Sequence, residues 1–332
     1  MNIRIKPLFC AILVLVGVSV SGFAQPVDLK ELQKTVSSFS EELAKSLPFN
    51  SSLGLNWSDA YIGKLFPSLP PHFGVGASIG LTTMEMPVLK AMANLFDYKL
   101  PFDIGKMILP AYAGEARIGG LFLPFDIGFK FGYLPSLGLW GKDIKMNYLL
   151  VGGDLRYALL DKKIPPKISL GVGINYLKGG VGGKTGGDTV FDYGSDSITV
   201  KSPDVNLDWK TVSLDFKLQV SKTLLIFTPY LGVGLGYAWS SAGYSVSADI
   251  EGSSGNPLTA MEKAAIKDYL KGLGLDDVSE NGISSTIDNG AFSFRAFGGL
   301  SINLMVFRLD FTALYSFRDR NFGGSFGFRF QL

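Results

Sequence analysis

From Phe73 to the last residue one pattern recurs: every second residue is apolar. Phe73, Val75, Ala77, Ile79 and Leu81 open the series. The same alternation returns over Tyr112–Phe122, Phe125–Tyr133, Leu149–Tyr157, Ile168–Tyr176, Val212–Val220, Phe227–Trp239, Phe292–Leu304, Phe307–Phe317 and Phe322–Leu332. A period of two places these side chains on one face of an extended strand, so the chain predicts about ten strands, each greasy on one side. The opposite face carries Glu115, Arg117, Asp126, Lys130, Asp154, Arg156, Asp215, Lys217, Arg295, Arg308, Asp310 and Arg329, with glycine and serine between them.

A sheet that is apolar on one face and charged on the other needs two environments. A barrel in lipid supplies both, because closure pairs every backbone group and only side chains meet hydrocarbon. The 25 Phe, 13 Tyr and 41 Gly among 332 residues suit lipid-facing strands better than a soluble core. Past the N-terminus no apolar run approaches the roughly 18 residues of a membrane helix. The expected fold is therefore all-β: a transmembrane antiparallel up-and-down barrel of about ten strands over residues 73–332. Twelve strands result if Val190–Val200 or Val246–Ile250 joins the wall.

Connection lengths alternate in support. Short turns are expected at Leu123-Pro124, Asp161–Pro166, Ser221–Thr223 and Leu304-Met305, and longer loops at Thr82–Pro110, Pro135–Ile144, Lys178–Asn206 and Ser241–Asn289. Arg318–Arg320 is a short exception. Bacterial barrels keep periplasmic turns short and have an even strand number, which returns both barrel ends to the periplasm.

Residues 1–24 read as a signal peptide: Arg4 and Lys6, an apolar run from Leu8 to Val20, then small residues that place cleavage near Ala24. The single cysteine, Cys10, lies in that run, so no thiol chemistry is expected of the mature chain. Residues 25–72 are expected to form a periplasmic N-terminal helix and a linker. Leu29, Leu32, Val36, Phe39, Leu43 and Leu47 share one helical stripe, and Asn50–His72 is rich in Pro, Gly and Ser. The stripe suits a plug in the barrel mouth, a short coiled coil with another chain, or a helix resting on the inner leaflet.

Phe326, Phe328, Phe330 and Leu332 alternate up to the last residue. This resembles the C-terminal assembly signal of outer-membrane barrels, although that signal usually ends in Phe. The resemblance implies an outer-membrane protein whose partners are outer-membrane lipid and the barrel assembly machinery. The wider layout, an N-terminal segment ahead of a barrel with apolar helix-like loops, resembles the fatty-acid transport channel family and implies a small hydrophobic solute. Met86, Met92, Phe96, Phe102 and Met107 in the first loop are the candidates to receive it, and Pro257–Leu273 is a second helix-like loop.

Other chemistry is sparse. The net charge of +2 lacks the basic stripe that nucleic acid requires. His72, the one histidine, has no partner by spacing, so no enzyme and no catalytic residue are expected. Gly179–Thr185 reads as a flexible loop and not a phosphate loop, and Asp188, Asp192, Asp196 and Asp204 lack the spacing of a calcium site; neither a metal nor a cofactor is expected. The inward charges either neutralise one another in pairs such as Glu115 with Arg117 and Asp154 with Arg156, or line an anion-favouring conduit. The function expected is passage or capture of small solutes, hydrophobic ones included, by a monomer. The alternative is a surface-exposed adhesin or structural barrel acting through its long loops.

Overall fold

A computed structural model describes residues 29–63, 72–85, 106–119, 124–139, 144–160, 166–184, 189–193, 196–200, 202, 204–247, 250–251, 278–279 and 282–332. Helix α1 (Leu29–Ser51) precedes β1 (His72–Glu85), β2 (Lys106–Gly119), β3 (Phe125–Leu139), β4 (Ile144–Leu160), β5 (Lys167–Lys184), β6 (Thr189–Tyr193) and β7 (Asp196–Val200). Then come β8 (Asp204–Ser221), β9 (Phe227–Ser247), β10 (Ile250–Glu251), β11 (Val278–Ser279), β12 (Gly282–Leu304), β13 (Phe307–Ser316) and β14 (Asn321–Gln331).

Ten of these strands, β1 to β5, β8, β9 and β12 to β14, form a closed antiparallel barrel. The β1–β14 pairing, from Gly74 opposite Gln331 to Thr82 opposite Gly323, seals it. The ten-strand count thus holds. Val190–Val200 stays out of the wall: β6 and β7 pair with β10 in a separate three-stranded sheet. Val246 merely extends β9.

Outward side chains are apolar and exposed. On β9 they run Phe227, Leu231, Val233, Leu235 and Trp239, and on β1 Val75, Ile79 and Leu81. Aromatic contacts cluster at both edges of this band. Near the short turns lie Phe73–Phe330, Phe125–Tyr157 and Phe307–Phe328, with centroids 6.3, 5.0 and 5.5 Å apart. At the other edge lie Tyr237–Trp239 and Tyr237–Phe292, at 4.9 and 4.8 Å. Two girdles around an apolar band match the two interfaces of a bilayer.

The strands outrun the hydrophobic alternation. β9 has 21 residues and β12 has 23, against the roughly 9–11 that cross hydrocarbon. Beyond Trp239 and Phe292 the same face carries Ser245, Ser247, Ser284 and Thr286, and the ladder continues with Ser284 opposite Ser245. Hydrogen-bonded pairing needs no apolar side chain, so the strands rise into water while the periodic signal stops. Three loop expectations are corrected by this. Pro135–Leu139 is strand and not loop, with β4 resuming at Ile144. Gly179–Lys184 is the end of β5, paired with Asp204–Trp209 of β8. Met107 is a strand residue of β2, buried opposite Met84. Gly179 is needed there because a Cβ would sit 2.7 Å from the Trp209 ring.

The interior has two zones. The half near the short turns is charged. The half near the long loops is lined by Met84, Met107, Leu150, Leu177, Leu207 and Tyr244, an inward apolar patch that pure alternation does not announce.

Candidate functional site

The inner surface is filled by the chain's own N-terminal segment. The stripe residues Phe39, Leu43 and Leu47 are buried in one cluster with Met84, Met107, Leu177, Leu207 and Tyr244. The helix therefore lies inside the barrel, in the half away from His72 and Leu332, which is the plug among the three placements its stripe suits. The reason is complementarity: the only large apolar inward patch among the described residues is at that end, and a helix stripe buries best against it. The helix also continues through Pro48, beyond the Leu47 expected from periodicity. Its last turn is held by barrel side chains: Asn50 donates to Thr82 Oγ1 at 2.9 Å and Leu109 O at 3.1 Å, and Lys130 Nζ donates to Ser51 O at 2.7 Å.

Residues 52–63 form a strap down the charged half. The chain turns at Gly54 and Leu55, both at positive φ. Its backbone polar groups find partners on the wall, as buried groups must. Lys130 Nζ donates to Leu53 O at 2.6 Å, Tyr230 OH to Asn56 O at 3.1 Å, and Gln219 to Trp57 O at 2.8 Å and Ser58 O at 3.1 Å. Arg156 donates to Asp59 O at 2.7 Å; Ala60 N–H reaches Ser221 Oγ at 3.0 Å and Ile62 N–H reaches Asp126 Oδ2 at 3.1 Å.

Side chains complete the network. Trp57 lies against Arg329 and Arg117, whose guanidinium carbons are 4.5 and 5.5 Å from its ring, and donates Nε1–H to Glu115 at 2.5 Å. Ser78 also donates to Glu115. Asp59 pairs with Arg329 at 3.0 Å and Arg308 at 3.1 Å. Arg329 reaches on to Asp310 at 2.6 Å and donates to Gln331. A second group joins Arg117 to Asp126 at 2.5 Å and Asp154 at 2.7 Å, and Arg156 to Asp126 at 2.7 Å. A third joins Arg295 to Asp215 at 2.5 Å, with Lys217 3.4 Å from Asp154 and 3.9 Å from Asp215.

All twelve inward charges expected from the sequence do face the lumen, eleven of them buried and Arg308 half-buried. Their partners differ from the expectation. Glu115 does not pair with Arg117, nor Asp154 with Arg156. Residues two apart on one strand are nearly 7 Å apart, while adjacent strands are about 4.8 Å apart, so the closest ion pairs form across strands. Asp126 stands directly opposite Arg156. Gly128, which stands between Arg117 and Asp154, leaves room for that pair, since a Cβ there would sit 2.5 Å from Asp154 Oδ1.

A closed barrel, apolar outside between two aromatic girdles and packed with paired charges inside, is built for one setting. The chain folds as a β-barrel of the outer-membrane type. No protein-family model matches it, and no curated protein matches it. Among solved structures it is similar to the outer membrane protease OmpT from Escherichia coli, with TM-score 0.39, 10% identity, and 80% of this chain and 98% of that chain covered. It is similar also to the translocator domain of the autotransporter NalP from Neisseria meningitidis, with TM-score 0.39, 8% identity, and 92% and 99% covered. A Pseudomonas aeruginosa FadL homologue follows with TM-score 0.25, 8% identity, and 83% and 96% covered.

Bacterial barrels of this type keep their short turns and both barrel ends on the periplasmic side, and α1 lies in the half away from those turns. Of the hydrophobic-ligand candidates, Met107 packs against α1; Met86, Met92, Phe96 and Phe102, like Pro257–Leu273, lie outside the described residues. His72 Nδ1 lies 3.2 Å from Leu332 O, at the rim that carries the short turns. On the C-terminal strand Phe326 and Phe328 face outward, Phe330 packs beside Phe307, and Leu332 N–H reaches Phe73 O at 2.9 Å. Trp57, Asp59, Gln219 and Ser221 were not singled out by sequence. One signal existed: the lumen face holds Arg117, Lys130, Arg156, Lys217, Arg295, Arg308 and Arg329 against Glu115, Asp126, Asp154, Asp215 and Asp310. That imbalance calls for a further carboxylate, and Asp59 supplies one.

Proposed function

We propose that the protein is a sealed, non-enzymatic surface barrel that acts through its extracellular end, binding a host or neighbouring macromolecule while its lumen stays shut. The observation that carries this reading is the filling of the lumen from Phe39 to Gly63. Water or a solute would have to displace α1 from an apolar cluster and break the strap's hydrogen bonds. An anion conduit would need unneutralised cations, whereas Arg117, Arg156, Arg295, Arg308 and Arg329 each hold a carboxylate. Above the membrane, β5, β8, β9 and β12 extend the wall into a platform below the long loops. The same reading makes the protein a monomer in outer-membrane lipid, and its last strand, with Phe326, Phe328, Phe330 and Leu332, the element offered to the barrel assembly machinery.

The test is planar-bilayer conductance of the refolded mature chain, with and without a long-chain fatty acid. Silence from the intact protein, with openings from a variant lacking residues 25–63, is the expected result. Steady openings of the intact protein would refute the sealed lumen, and openings altered by fatty acid would favour passage of a hydrophobic solute.

A further inference from the structure

We infer that the chain threads its own barrel, so that the N-terminal end of α1, at Leu29, points toward the cell surface. The direction is read from a succession of contacts. On β8, Ser51 meets Ser213 at 3.1 Å, Trp57 O meets Gln219, and Ala60 meets Ser221, the last residue before the periplasmic turn. Along β2, Asn50 binds Leu109 O and Trp57 binds Glu115, while Gly63 lies beside Gly119 at the strand's periplasmic end. On β3, Ser51 and Leu53 bind Lys130, and Ile62 binds Asp126. Three strands thus report the same descent from Asn50 to Gly63.

Traced the other way the chain climbs. Phe39 and Leu43 belong to the cluster that holds Met84 and Met107, at the extracellular ends of β1 and β2. Glu42 and Lys45 lie close enough to Asp319, in the β13–β14 turn, to act on its charge. Leu29 stands ten residues before Phe39 on the same helix, and at 1.5 Å per residue that is about 15 Å further out. The N-terminal end of the helix is thereby carried toward the extracellular rim. The lumen serves as the conduit for one segment, its own N-terminus, and the barrel becomes a mount that displays it.

The experiment labels cysteines on intact cells with a membrane-impermeant maleimide, in a Cys10→Ser background. Asp28→Cys is compared with Ser253→Cys, between β10 and β11, and with Lys163→Cys in the periplasmic turn between β4 and β5. Expected is labelling of D28C in intact cells alongside S253C, with K163C labelled only after permeabilisation. A D28C protein that labels only after permeabilisation, or only after unfolding, overturns the inference. A second reporter guards against local shielding: an epitope inserted after Gln25, read by antibody on intact cells, must give the same side.

The inference rests on the segment occupying the lumen, as the sealed-lumen reading does, and a third variant separates them. Ser51→Cys with Ser213→Cys places two thiols where hydroxyls are 3.1 Å apart, so a disulfide reports a seated segment. Failure of that disulfide defeats both readings. A disulfide that forms while D28C follows K163C defeats the threading alone.

Discussion

Asp59→Ala is the sharpest probe of what holds the strap. Asp59 is the only charged residue between Ser52 and Gly63, and its carboxylate is 3.0 Å from Arg329 and 3.1 Å from Arg308. Removing one partner of a buried ion pair costs about 3–5 kcal/mol, because a charge is left without compensation. Here the lower end applies: Arg329 keeps Asp310, and Arg308 keeps a 2.9 Å hydrogen bond to Asn303. A loss of about 3 kcal/mol, at about 1.4 kcal/mol per decade, raises the unseated fraction roughly 100-fold. The assay is the labelling rate of Ser51→Cys, a fully buried position, by a small thiol reagent in folded protein lacking Cys10. With seating fast relative to labelling, the rate follows the unseated population. Asp310→Asn is the control, since it removes the wall partner of Arg329 but leaves both pairs of Asp59 intact. An Asp59→Ala rate equal to that of Asp310→Asn, or unchanged from the parent, would refute the electrostatic latch and assign retention to the apolar packing of α1.

Three further outcomes test other parts of the structure. Ile79→Lys puts a charge on an outward position of β1 that is 63% exposed and flanked by Phe326 and Tyr112; it should cost about 2–4 kcal/mol in urea titrations from lipid vesicles, and near-zero cost would refute a lipid-facing surface. Gly74→Ala would place a Cβ 2.8 Å from the Trp57 ring, so it should speed Ser51→Cys labelling while the barrel keeps its heat-modifiable migration on gels. Burial pushes the Asp319 carboxyl above its ordinary value of 3.8, an effect that Arg318 and Ser316 only partly offset. An acid raised on folding favours the folded state below its ordinary value, and that contribution is lost as the pH rises through the raised value. Asp319→Asn should therefore have a higher urea midpoint than the parent at pH 7, and the difference should vanish as the pH falls below 3.8.

Which side of each strand meets lipid was legible in the sequence by itself, because alternation is a local property: Ile79, Leu231 and Phe326 declare their face by their neighbours two residues away. The inward charges, the even strand number and the helical stripe were legible for the same reason. The strand lengths were not, since the hydrogen-bond ladder of β9 and β12 outlasts the hydrocarbon that imposes the pattern. Which charges pair was also out of reach: Arg117 finds Asp126 and Asp154 through strand register, which a list of residues does not contain. The position of α1 depended most on tertiary structure. Phe39, Leu43 and Leu47 predict an apolar contact without naming the surface, and that surface exists only once Met84, Met107, Leu177 and Tyr244, from four separate strands, are brought around one axis. Likewise Trp57 and Asp59 look like ordinary linker residues until barrel closure places Arg329, Arg308 and Glu115 around them, and only then does burial give their hydrogen bonds and charges something to decide.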